Sequence, residues 1–190
     1  MVQGKGSKTF DEAKAFCYTQ PAIAHRLLQM ITDTTIVYLK AQVKAGADVV
    51  QVFDSWGGLL SPEDFAVISL PYLQQITAAL SEETRVILFA KGAWHSLDTM
   101  SATGAAAVGI DWCIAPQMAR TLAGANIVLQ GNFDPAKLLS PIPEIKKSVQ
   151  KMLDDFGGYK HIANLGHGIL PNVPVDHAKA FVDAVKTHSA

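Results

Sequence analysis

The chain has 190 residues, of which 49% are hydrophobic and 17% are charged, and its formal net charge is −1 at pH 7. This length and composition suit one domain with a sizeable apolar core. They exclude the clustered basic surface that nucleic-acid and membrane-surface binders normally carry. No apolar run is long enough to span a bilayer, and the first residues lack the apolar stretch of a secretory signal. Cys17 and Cys113 are the only cysteines, too few for a disulfide framework, so the composition predicts a cytoplasmic protein.

Residues 1–46 are predicted to form a helical lead-in. Thr9 and Glu12 have the spacing of a capping box at a helix start. Pro21 begins an amphipathic run in which apolar residues recur at helical spacing. Gly46 stands where a glycine commonly ends a helix.

Residues 47–190 repeat a strand–helix pattern five times. The predicted strands are short and apolar without alternation, which is typical of parallel strands covered on both faces. Ser61 is predicted to cap the first of the following helices, and Ser96 is a plausible cap of the second. The predicted strands are residues 48–53, 85–90, 107–110, 127–130 and 161–165, and the predicted helices after them are residues 61–80, 96–103, 115–122, 143–156 and 174–188.

Two α/β architectures fit five such units, namely an open doubly wound sheet and a closed (β/α)8 barrel. A doubly wound sheet usually carries a glycine-rich phosphate loop after its first strand, and the sequence has neither G-x-G-x-x-G nor a Walker A motif. Polar residues instead follow several strands, as they do at the mouth of a barrel. We therefore predict a single domain over residues 1–190 with an incomplete TIM-barrel fold, because a closed barrel needs eight strands.

Polar side chains follow the predicted strands, where a barrel carries its catalytic groups. Asp134 has two open interpretations, a helix cap or a ligand contact, whereas Asp54 and Asp111 precede further loop and favour a ligand or network role. Lys91 could act as a Schiff-base nucleophile, but pairing with a neighbouring carboxylate is the favoured interpretation. His167 lies between two glycines, which favours a functional role. The complete set is Asp54, Ser55, Trp56, Lys91, Asp111, Trp112, Gln130, Asn132, Asp134, Asn164 and His167.

Several segments together resemble the uroporphyrinogen decarboxylase family, in order and at the family's spacing. The resemblance covers the whole chain, and it implies a TIM barrel of which this chain supplies strands four to eight, as the C-terminal portion. The segments are QVFDSWGGLLSPEDF at 51–65, FAKG at 89–92, VGIDW at 108–112, LQGNFDP at 129–135, HIANLGHGILPNVPVDH at 161–177 and FVDAVKTHS at 181–189.

The resemblance also implies an activity. Enzymes of this family remove CO2 from the four acetate side chains of uroporphyrinogen and give coproporphyrinogen, in tetrapyrrole and haem biosynthesis. They use no metal and no organic cofactor, act as homodimers, and bind neither nucleic acid nor membrane. Ser55 and His167 match the residues that contact substrate carboxylates. Further pocket residues implied at the strand ends are Asp54, Trp56, Lys91, Asp111, Asn132 and Asn164.

Other residues that the family needs would precede this chain. An aspartate that holds the pyrrole NH groups, a set of arginines and a tyrosine come before the segment that residues 1–4 resemble. The resemblance therefore implies no certain catalytic residue within the 190, and it predicts that the isolated chain does not decarboxylate.

Three alternatives remain open at this point. Zinc-dependent corrinoid methyltransferases share this barrel family, but their His-x-Cys pair and later cysteine have no counterpart in GAWHS at 92–96 or in NLGHGILP at 164–171. A Schiff-base aldolase would depend on Lys91 alone. A non-catalytic barrel fragment would expose two unpaired strand edges, which favour aggregation.

Overall fold

The computed structural model describes residue 2 and residues 6–188, and it shows an α/β fold with one parallel five-stranded sheet. The remaining residues lie outside the described part of the chain. They include most of the first five residues of the predicted helical lead-in. Each strand pairs with the next in the sequence, so the sheet order is the chain order. The strands are β1 (Val49–Asp54), β2 (Arg85–Ala90), β3 (Ala107–Gly109), β4 (Val128–Phe133) and β5 (His161–Leu165).

The sheet is strongly curved. The Gln130 side chain on β4 donates a hydrogen bond from Nε2 to Oε1 of Gln51 on β1, at 3.2 Å. In a flat sheet three strand spacings of about 4.8 Å would separate these strands by about 14 Å. The five strands therefore form an arc with a concave inner face, as in the wall of a barrel.

Helices cover the convex outer face of this arc. Val50, Leu88, Val108 and Leu129 point outwards and are buried among apolar helix residues. The α-helices are α1 (Asp11–Thr19), α2 (Pro21–Lys44), α3 (Pro62–Ile68), α4 (Leu70–Leu80), α5 (Leu97–Ser101), α6 (Pro116–Ala123), α7 (Ile142–Phe156) and α8 (Val175–His188), and short 3-10 helices span Gly57–Leu59, Trp94–Ser96 and Pro135–Leu139.

A second apolar cluster lies behind the end of the sheet. Phe133 at the end of β4 packs against Ile145 and Val149 of α7. The Phe133 ring also meets Phe181 of α8 edge to face, with ring centroids 5.2 Å apart. This cluster holds the last two helices against β4 and β5.

The lead-in is helical as predicted, but its start differs. Helix α1 has Phe10 at its N-cap position, in a left-handed conformation (φ 53°) without a side-chain cap. The Ser7 hydroxyl accepts a hydrogen bond from the Phe10 amide at 3.0 Å, and the Thr9 hydroxyl donates to Asp11. The predicted capping box was therefore wrong, since Thr9 does not occupy the cap position. Gly46 follows α2 with a φ of 108°, which confirms its predicted place at the helix end.

The helix predicted over residues 61–80 is two helices. The Ser61 hydroxyl accepts a hydrogen bond from the Asp64 amide at 3.1 Å, which confirms the predicted N-cap. However, α3 ends at Ile68 and α4 begins at Leu70. Pro71 explains the break, because proline has no amide hydrogen for the preceding turn and its ring clashes with it.

One other predicted boundary was wrong. Strand β4 continues to Phe133 instead of ending at Gln130, so Asn132 lies within the strand. Helix α5 covers Leu97–Ser101 and Ser96 occupies its N-cap position, as predicted, but the Ser96 hydroxyl bonds to Nδ1 of His95 at 2.8 Å and makes no cap hydrogen bond. The other predicted strands and helices are confirmed to within about two residues, the usual uncertainty of an element's end.

Within the described residues, none of the helices has the length and apolar character that crossing a membrane requires.

Candidate functional site

The loops that follow the five strands lie at one end of the sheet, and we call them the rim. They meet through backbone contacts that only glycine allows. Gly58 donates its amide to the Lys91 carbonyl at 2.9 Å, and a Cβ on Gly58 would lie 2.4 Å from the Gly92 carbonyl carbon. Gly166 donates to the Phe133 carbonyl at 2.7 Å, and a Cβ there would lie 2.9 Å from Asp111 Cα. The rim is therefore a packed layer.

Asp111 ties two rim loops together. Its side chain is buried and accepts hydrogen bonds from the Gly92 amide at 2.6 Å and the Cys113 amide at 2.8 Å. Burial, and then the Asp111 carboxylate, raise the pKa of the Cys113 thiol, which makes this thiol a poor nucleophile at neutral pH. Asp111 thus has the network role that its position predicted.

Asn132, within β4, stabilises the same rim loops through hydrogen bonds to their backbone. Its side-chain amide is buried and donates to the backbone carbonyls of Asp111 at 3.1 Å and Ile114 at 2.8 Å. Both bonds fix the course of the loop after β3. Asn132 therefore holds the rim in place, and its amide nitrogen is not free for a ligand.

Asp54 and Trp56 face a different part of the molecule. The Asp54 carboxylate accepts a hydrogen bond from the Ser69 hydroxyl at 2.5 Å, and the Trp56 ring packs on Phe10 with centroids 4.9 Å apart. Both line a largely apolar groove of about 720 Å³ between α1, α2, α4 and the free edge of β1.

Lys91 has an aromatic neighbour instead of an acidic one. Its ammonium lies 5.5 Å from the centroid of the Trp112 ring, and it makes no salt bridge within the described part of the chain. The favoured pairing with a carboxylate was therefore wrong. The strand-end carboxylates of Asp54 and Asp111 have other partners, Ser69 for Asp54 and backbone amides for Asp111.

Asp134 acts as a helix cap. Its carboxylate accepts a hydrogen bond from the Ala136 amide at 2.9 Å, at the start of the 3-10 helix Pro135–Leu139. Of its two open interpretations, the structure therefore favours the cap.

A cavity of about 300 Å³ opens on the concave face of the sheet below the rim. This volume is at the lower end of the range for small-molecule sites. His167 is exposed at its edge and meets the Phe89 ring edge to face, with centroids 6.0 Å apart. We call it the concave cavity, and it is lined by Gln51, Phe53, Phe89, Ile110, Gln130, Asn164, Leu165, His167, Gly168 and Ile169.

The concave cavity brings together only some of the predicted residues. His167 and Asn164 line it, whereas Ser55 follows β1 at the same end of the sheet, half-buried, outside the lining. The prediction missed Gln51, Phe53 and Phe89. Their signal was present, because every second residue of a strand faces the same side, and Gln51 is a polar residue between the apolar residues Val50 and Val52.

The described residues contain no group of three or more His, Cys, Asp or Glu side chains placed to hold a metal ion.

Comparison with known proteins identifies the family to which the chain belongs. The family model for uroporphyrinogen decarboxylase (URO-D) matches residues 1–188. A uroporphyrinogen decarboxylase from Flavobacterium johnsoniae is 60% identical over 187 residues, with 98% of this chain and 55% of that protein covered. The Homo sapiens protein of the same name is 41% identical over 197 residues, with 100% of this chain and 54% of that protein covered. The chain thus spans about half the length of the curated relatives it matches.

A solved structure supports the fold independently. A methyltransferase from Methanosarcina mazei superimposes with a TM-score of 0.85 and 23% sequence identity, over 96% of this chain and 54% of that one. At this identity the likeness shows a shared TIM-barrel-like fold and nothing about activity. The extended match to the family model and to much closer relatives decides the assignment: the chain belongs to the uroporphyrinogen decarboxylase family.

Proposed function

We propose that the complete protein containing these residues is a uroporphyrinogen decarboxylase, a carboxy-lyase of haem biosynthesis. It removes CO2 from the four acetate side chains of uroporphyrinogen and gives coproporphyrinogen. The observation that carries this proposal is the family match over residues 1–188, with 60% identity to the Flavobacterium johnsoniae relative. The cavity at the strand ends supports it, since barrel enzymes carry their active sites there.

The chemistry suits a site built from side chains alone. Protonation of an electron-rich pyrrole ring makes the ring an electron sink for the departing carboxylate group. The protein must then supply an acid, stabilise charge near the ring nitrogens and anchor the other carboxylates. We assign carboxylate contacts to Ser55 and His167, and aromatic contacts with the macrocycle to Phe53 and Phe89, whose rings are 5.9 Å apart.

We further propose that β1 to β5 are strands four to eight of the barrel. The resemblance of the segments to the family supports this position. The open concave face supports an incomplete barrel, because Val49, Phe53 and Ile162 are 49%, 64% and 41% exposed although they lie on a sheet face that a closed barrel would bury. The isolated 190-residue chain is expected to form no coproporphyrinogen, since it spans only about half of its relatives. Coproporphyrinogen from this chain alone would contradict the proposal.

The proposed enzyme is a homodimer of the cytoplasm. The family resemblance supports the dimer, and two isolated cysteines suit a reducing compartment. Light scattering of the complete gene product tests the first point, with twice the monomer mass as the expected result.

Chromatography of the porphyrins formed from uroporphyrinogen under anaerobic conditions tests the activity. The complete gene product is expected to give coproporphyrinogen. Ser55→Ala and His167→Asn are each expected to lower kcat/KM about tenfold or more, because the first removes the donor to a charged group and the second replaces the imidazole with a shorter amide that no longer reaches it. Ser81→Ala and His188→Asn are matched controls, since both residues lie far from the rim, in the turn after α4 and at the end of α8. Absence of coproporphyrinogen with the unaltered protein would refute the function.

A further inference from the structure

The floor of the concave cavity carries a pair of neutral amides. Gln51 and Gln130 come from strands that are not neighbours in the sheet, and their side chains meet across its concave face at 3.2 Å. Their neighbours on that face include Phe53, Phe89 and Ile162, which are apolar. Two amides in such surroundings need partners, because an unpaired buried polar group is costly.

The contact between the two amides leaves part of each unused. Gln130 gives one N–H to Gln51, and within the described residues neither Gln51 Nε2 nor Gln130 Oε1 has a protein partner. Both atoms are accessible to solvent, because the only described side-chain polar atoms that are both buried and without a partner are His95 Nε2 and Ser101 Oγ. The cavity that Gln51 and Gln130 line is therefore open to them. The structure leaves the NH2 group free on Gln51 and the carbonyl oxygen free on Gln130, and exchange of both amide orientations would reverse these two roles. The pair always presents one amide NH2 group and one carbonyl oxygen to the cavity.

The neutrality of the two amides suits a decarboxylation. Among the described residues, those that line the concave cavity include no Asp, Glu, Lys or Arg. When CO2 leaves, the bond between the methylene carbon and the carboxylate carbon breaks, and its electron pair moves into the protonated pyrrole ring. The methylene carbon then takes a proton and becomes a methyl group, and the ring releases the proton that it had taken up, which restores the neutral pyrrole. The carboxylate therefore loses its charge, so a cation beside it would stabilise the ground state more than the transition state. A neutral hydrogen-bond donor binds the carboxylate but stabilises its charged ground state less than a cation would.

We propose that Gln51 binds the acetate carboxylate that is removed, through a hydrogen bond from its amide nitrogen, and that Gln130 is a positioning residue that orients the Gln51 amide. This inference rests on the proposed function. In this proposal the carboxylates of the substrate bind at two places, the rim and the floor of the concave cavity. Ser55 and His167 at the rim hold carboxylates that stay, and the amide pair on the floor receives the one that reacts.

The test is the KM for uroporphyrinogen and the inhibition constant of coproporphyrinogen, measured with the complete gene product. Gln51→Leu is expected to raise the KM about tenfold or more, since a hydrogen bond to a charged group is lost. It should leave the inhibition constant of coproporphyrinogen unchanged, because this product has lost all four acetate carboxylates. Gln117→Leu, which removes an exposed amide bonded to the Asp155 carbonyl, is the matched control and should change neither constant.

Gln51→Glu separates ligand binding from support of the fold. This variant keeps the side-chain volume and an acceptor for Gln130, so it should fold like the unaltered protein. It also places a carboxylate opposite the substrate carboxylate, and it is therefore expected to raise the KM more than Gln51→Leu does. If the pair only supported the fold, Gln51→Glu would be the milder change.

Gln130→Leu should raise the KM as well, and it should have no further effect in the Gln51→Leu background, because it acts through Gln51. An unchanged KM in Gln51→Leu and Gln51→Glu would overturn the inference while the decarboxylase assignment stands. An equal rise in the KM and in the inhibition constant of coproporphyrinogen would also overturn it. Inactivity of the unaltered protein would instead refute the proposed function, and the role of the amide pair with it.

Discussion

The two faces of the sheet differ in how completely they are covered. On the convex face Leu88, Val108 and Leu129 are fully buried beneath the helices. On the concave face, Val49 and Phe53 of the edge strand β1 remain about half or more exposed, and Ile162 of the other edge strand β5 is 41% exposed. The apolar residues of the convex face are therefore buried by helices of the same chain, and they stabilise its fold without any other partner. The concave face carries apolar and amide groups whose partners, in our proposal, are a ligand and the rest of a barrel.

The largest effect should be the loss of stability when a side chain on the convex face is truncated, compared with the same change on the concave face. Leu129→Ala is expected to lower the free energy of unfolding by about 2–5 kcal/mol, because it removes buried methyl groups and leaves a cavity. Phe53→Ala, at 64% exposure, is expected to cost about 1 kcal/mol or less. Urea unfolding followed by circular dichroism measures both. Equal losses would mean that the two faces are equally covered, against the structure.

The two glycines beside His167 give a matched pair at the rim. Gly166→Ala would place Cβ 2.9 Å from Asp111 Cα and from the Trp112 amide nitrogen, so the backbone must move, at a cost of about 1–3 kcal/mol. Gly168 has no atom within 4 Å of the added Cβ, and its substitution should change stability by less than about 1 kcal/mol. Thermal unfolding of the two variants compares them directly. A tolerated Gly166→Ala would show that the rim loops are loosely packed.

A smaller effect should appear in the pH dependence of stability at β5. The His161 ring stacks on Phe156 with centroids 3.6 Å apart, and its Nε2 lies 2.6 Å from the Gly131 carbonyl oxygen. Burial, helped by the charge of Arg120, lowers the pKa of His161 below its usual value near 6.5.

The sign follows from that shift. The unfolded chain takes up a proton at His161 before the folded chain does, so this contribution to stability is complete above about pH 6.5 and is lost as pH falls through the lower pKa of the folded state. Urea midpoints between pH 8 and pH 5 should therefore fall less steeply in His161→Gln than in the unaltered chain. Identical slopes would exclude His161 as a source of acid sensitivity.

The smallest effect is expected at Lys91. Its ammonium has the Trp112 ring beside it and forms no ion pair with a described carboxylate, so Lys91→Met should cost only about 0.5–1 kcal/mol, as for an exposed cation–π contact. Thermal unfolding at low and high salt measures the loss. A loss of several kcal/mol that vanishes in high salt would instead reveal an ion pair.

The fold could be predicted further from the sequence than the site could. Short apolar strands and the Ser61 cap depend on neighbouring residues, so their signals are local. The break between α3 and α4 also has a local cause in Pro71, which the helical periodicity on both sides obscured. The partners of Asp111 and Asn132 lie 18 or more residues away except for the Cys113 amide, and no local pattern specifies them.

The amide pair shows the same limit. Gln51 and Gln130 lie 79 residues apart, and only the curvature of the sheet brings them together. From the sequence, Gln130 was one polar residue at a strand end, and Gln51 was one polar residue within a strand. The sequence pattern therefore indicates one member of the pair without its partner.

The most direct test of the decarboxylase assignment is the release of labelled CO2 from uroporphyrinogen that carries 13C in its acetate carboxyl groups. With the complete gene product we expect four labelled CO2 molecules for each coproporphyrinogen formed, and a release at least about tenfold slower with His167→Asn. Release of no labelled CO2 by the unaltered protein would contradict the assignment, and an unchanged rate with His167→Asn would contradict the role that we give to the rim.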